Sequence, residues 1–215
     1  MVKKVLLTGF DPFGTDEVNP ASEAMKQLNG LILDDIELIA VEVPTVFHTS
    51  REVVIQAIEF FQPDVVICVG QAGGRSQITP ERIAINLDDA RIADNEGQQP
   101  IDEPIIENGP TAYWSTLPVK RIVKQMQKMG IPASVSHTAG TFVCNHLFYG
   151  VMHYLHEHAS HIRGGFIHIP FIPKQTVDTS APSMSLNLII QALKIAAITA
   201  AFEHEDIHEI GGTIH

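Results

Sequence analysis

The chain has 215 residues, of which 45% are hydrophobic and 18% charged, so it can bury a sizeable core as one domain or a tight two-lobed one. Its 14 basic and 25 acidic residues give a net charge of −11. This balance argues against nucleic acid as a partner, because phosphate binding needs clustered Lys and Arg. Two cysteines do not make a disulfide scaffold, and reduced thiols point to the cytosol.

The N-terminal segment resembles the start of a signal peptide, but its apolar part ends at Gly9 and Asp11-Pro12 follows, so it is too short to be a signal peptide. The most apolar later run, 186–202, is interrupted by three polar residues, and we expect no membrane span. We therefore expect a cytoplasmic protein whose partners include neither membrane nor nucleic acid.

The first half of the chain alternates apolar runs with amphipathic segments. The apolar runs, each predicted to be a buried strand, are Lys4–Thr8, Ile36–Val43 and Asp64–Gly70. Asn19-Pro20 predicts the start of a helix that ends at Asn29-Gly30. Thr49 or Ser50 is the expected cap of a second helix over Arg51–Phe61. This order predicts parallel strands with right-handed crossovers.

The middle of the chain is less regular. Residues 70–75 are better explained as a tight turn than as a phosphate loop, because neither nucleotide-binding pattern is present. A strand of alternating character is predicted from Arg82 onward. Residues 88–110 are rich in polar residues and proline, and we expect an excursion, partly a hairpin, near the active face or a subunit contact.

The second half returns to regular elements. Pro118 predicts the start of a helix that Gly130 closes, and residues 133–137 predict a strand. An amphipathic helix over 147–158, a short strand over 164–170 and a last helix opened by Ser183 or Ser185 follow. The tail from His204 is polar, and we expect it to fray.

The stretch 136–146, Ser-His-Thr-Ala-Gly-Thr-Phe-Val-Cys-Asn-His, runs from a flexible turn into the long amphipathic helix. It places Cys144 in or near the first helical turn, where the amides lack internal partners and the helix dipole is positive. A thiol there is expected to have a lowered pKa, and the same amides can bind an oxyanion. The ordinary alternative is an inert buried thiol.

A nucleophilic thiol needs a base, and His168 is the best placed of the 11 histidines. It lies in an apolar strand, and a strand–helix–strand crossover from the Cys144 segment would bring the two together. A satisfied core histidine is the alternative. The imidazole would need a carboxylate to fix its tautomer. Glu81, just before a strand, is the first candidate, and Asp94 is the second.

Several further histidines raise the question of a metal site. They are His146, His153, His156, His158 and His161. No carboxylate stands at a known ligand spacing, and neither Cys-x-x-Cys nor His-Glu-x-x-His is present. We therefore expect a solvated helix face and no metal.

Six motifs resemble those of the pyrrolidone carboxyl peptidases, also called type I pyroglutamyl peptidases, and they follow in the family's order. They are Gly-Phe-x-Pro-Phe-Gly at 9–14, Asn-Pro at 19–20, Glu-Arg-x-Ala-x-Asn at 81–86, Asp-Ala-Arg-Ile-x-Asp-Asn at 89–95, Ser-x-x-Ala-Gly-x-Phe-Val-Cys-Asn at 136–145 and Phe-Ile-His-x-Pro at 166–170. No single motif decides the matter, but together they are specific.

The resemblance implies a cysteine peptidase that removes an N-terminal pyroglutamyl residue without a cofactor or metal. Its catalytic triad maps onto Cys144 as nucleophile, His168 as general base and acid, and Glu81 as the group that orients the imidazole. Arg91 is implied to help stabilise the oxyanion. The implied substrate pocket consists of Phe10, Phe13, Gln71, Ile92 and Phe142.

The implied fold is α/β, a single-domain α/β/α sandwich over residues 1–215 with a twisted, mostly parallel central sheet. The implied assembly is a homodimer or homotetramer, and the implied partners are peptides with N-terminal pyroglutamate. Two alternatives to this function remain. One is a non-catalytic protein that binds cyclic N-termini, and the other is a different small amidase on a similar sheet.

Overall fold

The computed structural model describes residues 2–212. The strands are β1 (Lys3–Phe10), β2 (Ile32–Leu33), β3 (Ile36–Val43), β4 (Val65–Gln71), β5 (Thr79–Pro80), β6 (Ile83–Ile85), β7 (Ala112–Trp114) and β8 (Arg163–Ile169). The helices are α1 (Pro20–Leu28), α2 (Thr49–Phe61), α3 (Val119–Lys128), α4 (Val143–His158) and α5 (Leu186–Phe202).

The central sheet has six strands in the order β2-β3-β1-β4-β8-β5. The four middle strands are parallel, and the short strands β2 and β5 pair antiparallel at the two edges. The predicted α/β architecture with a mostly parallel sheet is therefore confirmed.

Helices cover both faces of this sheet. Successive residues of each strand point to opposite faces, so the strands contribute side chains to a core on each side. Along β1, Val5 and Leu7 belong to the core beneath α1, α3 and α5, whereas Leu6 belongs to the core beneath α2 and α4. The second core also contains Cys68 and Phe166 from β4 and β8. This second face carries the start of α4 and therefore Cys144.

Two of the predicted helix starts are confirmed and one is wrong. Asn19 accepts a hydrogen bond from the Ala21 amide, and Ser185 accepts one from the Leu188 amide. Helix α2 instead begins at Thr49, and its cap is His48, which has φ of 60° and forms no side-chain cap bond. Neither Thr49 nor Ser50 is the cap, because both lie inside the first turn of the helix and the turn at His48 comes just before it.

Of the two strands predicted in the middle region, one is confirmed and one is wrong. The strand expected from Arg82 is β6, which pairs with β7 in a separate two-stranded sheet. Residues 133–137 are not a strand but form isolated parallel bridges from Ala133 to Ile78 and from Ser136 to Glu81. Because β5 lies between this segment and β8, the segment that leads into α4 does not pair with the strand that carries His168.

The polar excursion and the tail are both held by hydrogen bonds. Asp88 and Glu103 exchange backbone hydrogen bonds of 2.8 and 3.0 Å, so the expectation of a partial hairpin is confirmed. The expectation of a frayed tail from residue 204 is wrong for residues 205–209. The Asp206 carboxylate accepts hydrogen bonds from the Lys120 and Arg121 amides at the start of α3, and the Glu209 carbonyl accepts one from the Lys120 side chain. Residues 213–215 lie outside the described residues. Among residues 2–212, no helix has both the length and the apolar character needed to cross a membrane.

Candidate active site

Cys144 occupies the second position of helix α4, one residue after Val143. The amides of the first turn have no carbonyl of their own helix to bind, so they face outward with the positive end of the dipole. The preceding residue, Phe142, is the N-cap and accepts the first helical hydrogen bond, from the His146 amide at 3.1 Å. The sequence thus positions a half-buried thiol at an amide-rich helix start.

The Cys144 sulfur lies directly over Gly70 of strand β4. A Cβ atom built on Gly70 would be 2.9 Å from Cys144 Sγ and 2.8 Å from Cζ of Phe166. Gly70 pairs in register with His168 on β8, and neighbouring strands lie about 4.8 Å apart. Residues in register point to the same face of a parallel sheet, so the sulfur and the His168 ring occupy the same side, above adjacent strands.

The His168 imidazole is oriented by Glu81. Its Nδ1 atom lies 2.7 Å from Glu81 Oε1, and both side chains are buried, with exposures of 4% and 0%. A ring nitrogen this close to a carboxylate carries the proton of the neutral imidazole, so Nδ1 donates and Nε2 keeps a free lone pair. The Glu81 backbone is fixed as well, because its amide donates to the Phe166 carbonyl at 2.8 Å.

Asp94, the second candidate for this orienting role, lies in a different network. Its carboxylate accepts hydrogen bonds from the amides of Phe47, Glu96 and Gln98, at 2.8 to 2.9 Å. Asp94 therefore shapes the loop of the polar excursion, and the partner of His168 Nδ1 is Glu81.

The charges around the site set the resting protonation states. Burial lowers the pKa of His168, although the hydrogen bond and charge of Glu81 oppose this. Burial alone would raise the pKa of Glu81, but its contacts with His168, Ser136 and Arg75 outweigh burial, so the pKa lies below its usual value. The imidazole is therefore neutral and the carboxylate ionised near neutral pH.

The expectation of a lowered thiol pKa is wrong for the protein without substrate. Burial raises the pKa of Cys144 to about 12, the negative charge of Glu81 adds to the effect, and Arg75 opposes it. Loss of hydration and the nearby anion both favour the neutral thiol. The resting pair is consequently a neutral thiol beside a neutral imidazole.

An aromatic wall lies beside Cys144. The rings of Phe13 and Phe142, both half-buried, have centroids 5.3 Å apart, and buried Phe47 stands edge-on behind Phe142 at 5.3 Å. Phe10 is 3% exposed and packs on Phe166 at 6.4 Å, so it backs the site mainly from within the core.

Arg91 and Ile92 lie on an exposed loop that is anchored on both sides. On one side the Asp89 amide donates to the Thr141 carbonyl at 3.0 Å, and on the other the Asn95 side chain donates to the Pro12 carbonyl at 3.0 Å. The loop therefore bridges the turn before Cys144 and the turn that carries Phe13. Ile92 is 48% exposed, which leaves it free to contact a ligand.

Gln71, at the end of β4, belongs to a polar cluster on the neighbouring loop. Its Oε1 accepts a hydrogen bond from Gln175 at 2.7 Å, and its Nε2 donates to Asp16 at 3.2 Å. The structure thus brings Cys144, His168 and Glu81 together, joins Phe13 to Phe142, and places Gln71 among partners that the sequence did not indicate.

These features agree with the comparisons with known proteins. A sequence model of the pyroglutamyl peptidase family matches residues 3–203. The pyrrolidone-carboxylate peptidases of Bacillus velezensis and Bacillus subtilis are 61% and 60% identical to this chain over the full length of both proteins. This chain belongs to the pyroglutamyl peptidase family.

Solved structures of the family share the fold. The crystal structure of pyroglutamyl peptidase I from Bacillus amyloliquefaciens superposes with a TM-score of 0.96 at 61% identity, covering 98% of this chain and all of that one. A mutant pyrrolidone carboxyl peptidase from the hyperthermophile Pyrococcus furiosus gives 0.91 at 43% identity, covering 93% of this chain and 99% of that one. The family fold therefore extends over nearly the whole chain.

The histidines that raised the question of a metal have other partners or face solvent. His146 Nδ1 lies 2.7 Å from Asp88, and His153 Nδ1 lies 2.9 Å from the Tyr113 hydroxyl. His156 and His158 are exposed. Within residues 2–212, no cluster of three or more His, Cys, Asp or Glu side chains is arranged to hold a metal ion.

Sequence reasoning missed Gly70, Arg75 and Phe47 as parts of the site. Gly70 and Arg75 belong to a segment explained as a simple turn, and nothing in its pattern shows that the first residue lies beneath a sulfur or that the last reaches Glu81. Phe47 follows a strand in a loop, where a lone aromatic residue carries no signal beyond an expected core contact.

Proposed function

We propose that this chain is a cysteine peptidase that removes an N-terminal pyroglutamyl residue from peptides and proteins through a thioester intermediate. The observation that carries the proposal is the buried Glu81–His168 pair beside Cys144 at a helix start. Membership of the pyroglutamyl peptidase family supports the same activity. In this proposal Cys144 is the nucleophile, His168 the general base and acid, and Glu81 the group that holds the imidazole.

The first half of the reaction starts from the neutral pair. As Sγ of Cys144 attacks the pyroglutamyl carbonyl carbon, Nε2 of His168 takes the thiol proton, and Glu81 stabilises the imidazolium that forms. The carbonyl oxygen becomes an oxyanion beside the amides of the α4 start, with Arg91 as a second source of positive charge. His168 then gives its proton to the leaving amine, the C–N bond breaks, and a thioester remains.

The second half releases the pyroglutamyl group. A water molecule gives a proton to Nε2 of His168 as its oxygen attacks the thioester carbonyl. The C–S bond breaks, the sulfur recovers its proton from His168, and free pyroglutamate leaves. Both halves use only groups of the chain and water, so we expect no cofactor.

Selectivity follows from the pocket's chemistry. Pyroglutamate carries a flat, neutral lactam ring, which the rings of Phe13 and Phe142 can clasp, with Phe10 and Ile92 completing the apolar lining. Gln71 and nearby backbone groups would pair with the lactam N–H and C=O. An ordinary N-terminus would bury an unpaired ammonium there, which costs about 3 to 5 kcal/mol. A prolyl ring lacks the lactam carbonyl and would leave a donor without a partner.

We further propose that residues 1–215 form a single peptidase domain that works in the cytoplasm as a homodimer or homotetramer. Both cysteines are free, which fits a reducing compartment. Light scattering coupled to gel filtration measures the assembly, and a mass equal to one chain of 23.6 kDa would contradict it.

The activity is tested with amides that release a chromophore. We expect turnover of the pyroglutamyl amide and none of the prolyl or glutaminyl amides, and we expect Cys144→Ala and His168→Ala each to abolish turnover while the protein remains folded. Full activity in either variant would overturn the assignment, and wild-type binding of the pyroglutamyl amide without turnover would favour the non-catalytic alternative. A broader amide preference would favour a different amidase. Asp94→Asn is the matched carboxylate control and should keep the catalytic step.

A further inference from the structure

The turn after β4 contains Arg75, whose guanidinium binds four groups around the Glu81–His168 pair. Its Nη1 donates to Glu81 Oε1 at 2.7 Å and to Thr79 Oγ1 at 2.6 Å. Nη1 also lies 3.4 Å from Ser136 Oγ, and Nη2 donates to the Thr138 carbonyl at 3.2 Å. One side chain thus connects β4, β5 and the segment that leads into Cys144.

Arg75 and His168 bind the same oxygen of Glu81. His168 Nδ1 and Arg75 Nη1 each lie 2.7 Å from Oε1. The Glu81 side chain is fully buried, whereas that of Arg75 is 30% exposed at the edge of the site. The guanidinium of Arg75 therefore neutralises part of the Glu81 charge that would otherwise act only on the His168 imidazole.

We infer that Arg75 is a positioning residue for the hydrolytic reaction, which holds Glu81 in register with His168 and keeps the imidazole in its neutral, proton-accepting form. The inference rests on the function proposed above. Its physical basis is charge balance in a buried site. A lone carboxylate beside an imidazole favours the imidazolium, which has no lone pair to accept the thiol proton. A permanent cation on the same oxygen removes part of that preference.

Among the described residues, Glu81 and Arg75 are the charged groups that shift the pKa of His168. Glu81 raises the pKa of the ring and Arg75 lowers it. The same guanidinium also opposes the rise of the Cys144 pKa. Removing Arg75 should therefore leave more of the enzyme with a protonated imidazole and should move the acid limb of the kcat/KM profile to higher pH.

The test uses Arg75→Met, Arg75→Lys and a matched control, Arg121→Met. Arg121, on helix α3, is a suitable control. Its side chain is 27% exposed, similar to the 30% of Arg75, and it pairs with the Glu203 carboxylate at 3.4 Å. For Arg75→Met we expect kcat to fall about tenfold to a hundredfold, with KM for the pyroglutamyl amide nearly unchanged and the acid limb moved to higher pH. Arg121→Met should leave both kcat and the acid limb as in the wild type.

Arg75→Lys separates the charge from the geometry. An ammonium group can reach Glu81 as a point charge but cannot bind all four acceptors, so we expect the acid limb to stay at the wild-type pH while kcat recovers only in part. If Arg75→Met does not fold, this variant decides, and unchanged kcat or a displaced acid limb would overturn the inference.

Other outcomes are equally decisive. Wild-type kcat and acid limb in Arg75→Met would overturn the inference. So would a loss of kcat that follows only a lower melting temperature, with the acid limb unmoved. Failure of the wild type itself to hydrolyse the pyroglutamyl amide would instead overturn the proposed function.

Discussion

Replacing Gly70 by alanine should impair catalysis more than it impairs the fold. The added Cβ would lie 2.9 Å from Cys144 Sγ and 2.8 Å from Cζ of Phe166. Non-bonded heavy atoms of this kind settle at about 3.5 to 4.0 Å, so the sulfur must retreat by roughly 0.6 to 1.1 Å. A displacement of about 1 Å at a reacting atom can cost about a hundredfold in rate. Overpacking should also cost about 1 to 3 kcal/mol of stability.

Gly164→Ala provides the matched control on the same sheet. A Cβ there would lie 2.5 Å from Cδ1 of Leu155, inside the same core, but it would not touch Cys144. We expect both variants to unfold at lower urea concentration and only Gly70→Ala to lose kcat with the pyroglutamyl amide. Equal kcat losses in the two variants, or a fully active Gly70→Ala, would refute the reasoning.

Three further predictions concern charge. Glu81→Gln should lower kcat by about a hundredfold, because the imidazolium of His168 would lose its carboxylate partner. Turnover assays with the same pyroglutamyl amide measure this, and an unchanged kcat would contradict the orienting role of Glu81. Stability should fall as pH drops below about 6.5, because His168 is buried neutral with a lowered pKa and the unfolded chain takes up the proton first. Below about pH 6.5, the urea midpoint of His168→Gln should fall less than that of the wild type. An equal dependence of the two midpoints on pH would argue against a buried neutral His168 ring. Asp88→Ala should cost about 1 to 3 kcal/mol in urea unfolding by stranding the buried Nδ1 of His146, and an unchanged midpoint would show that this pair contributes nothing.

Much of the fold follows from local patterns. The continuous apolar runs of β1, β3, β4 and β8 predict buried parallel strands, and Asn19 and Ser185 mark two helix starts by their capping chemistry. The errors lie where tertiary pairing decides. Strand β5 has two residues, too few to form a pattern, yet it separates the 133–137 segment from β8. The tail lacks an apolar pattern, and the Asp206 carboxylate holds it at the start of α3.

The site divides in the same way. Cys144 and His168 can be identified from the sequence because each lies in a recognisable element. Cys144 lies at the start of a helix, and His168 lies within an apolar strand. The place of Glu81 just before a strand ranks it above Asp94, and the resemblance implies the same choice. Only the structure shows that the Asp94 carboxylate binds backbone amides instead. Arg75 could not be found from the sequence, because its role depends on four acceptors in two segments, 79–81 and 136–138, and only the fold brings the second segment to it.

The raised pKa of Cys144 changes the role of the helix start rather than removing it. If the sulfur rested as a thiolate, the free amides of α4 would already stabilise a negative charge before the reaction began. Only interactions that strengthen in the transition state accelerate the chemical step. In the proposed reaction, which starts from a neutral thiol, the amides at the start of α4 first face a full negative charge when the substrate carbonyl becomes an oxyanion. If Cys144 is the nucleophile as proposed, the burial that raises its pKa leaves the electrostatic stabilisation of the helix start for the step that forms the oxyanion.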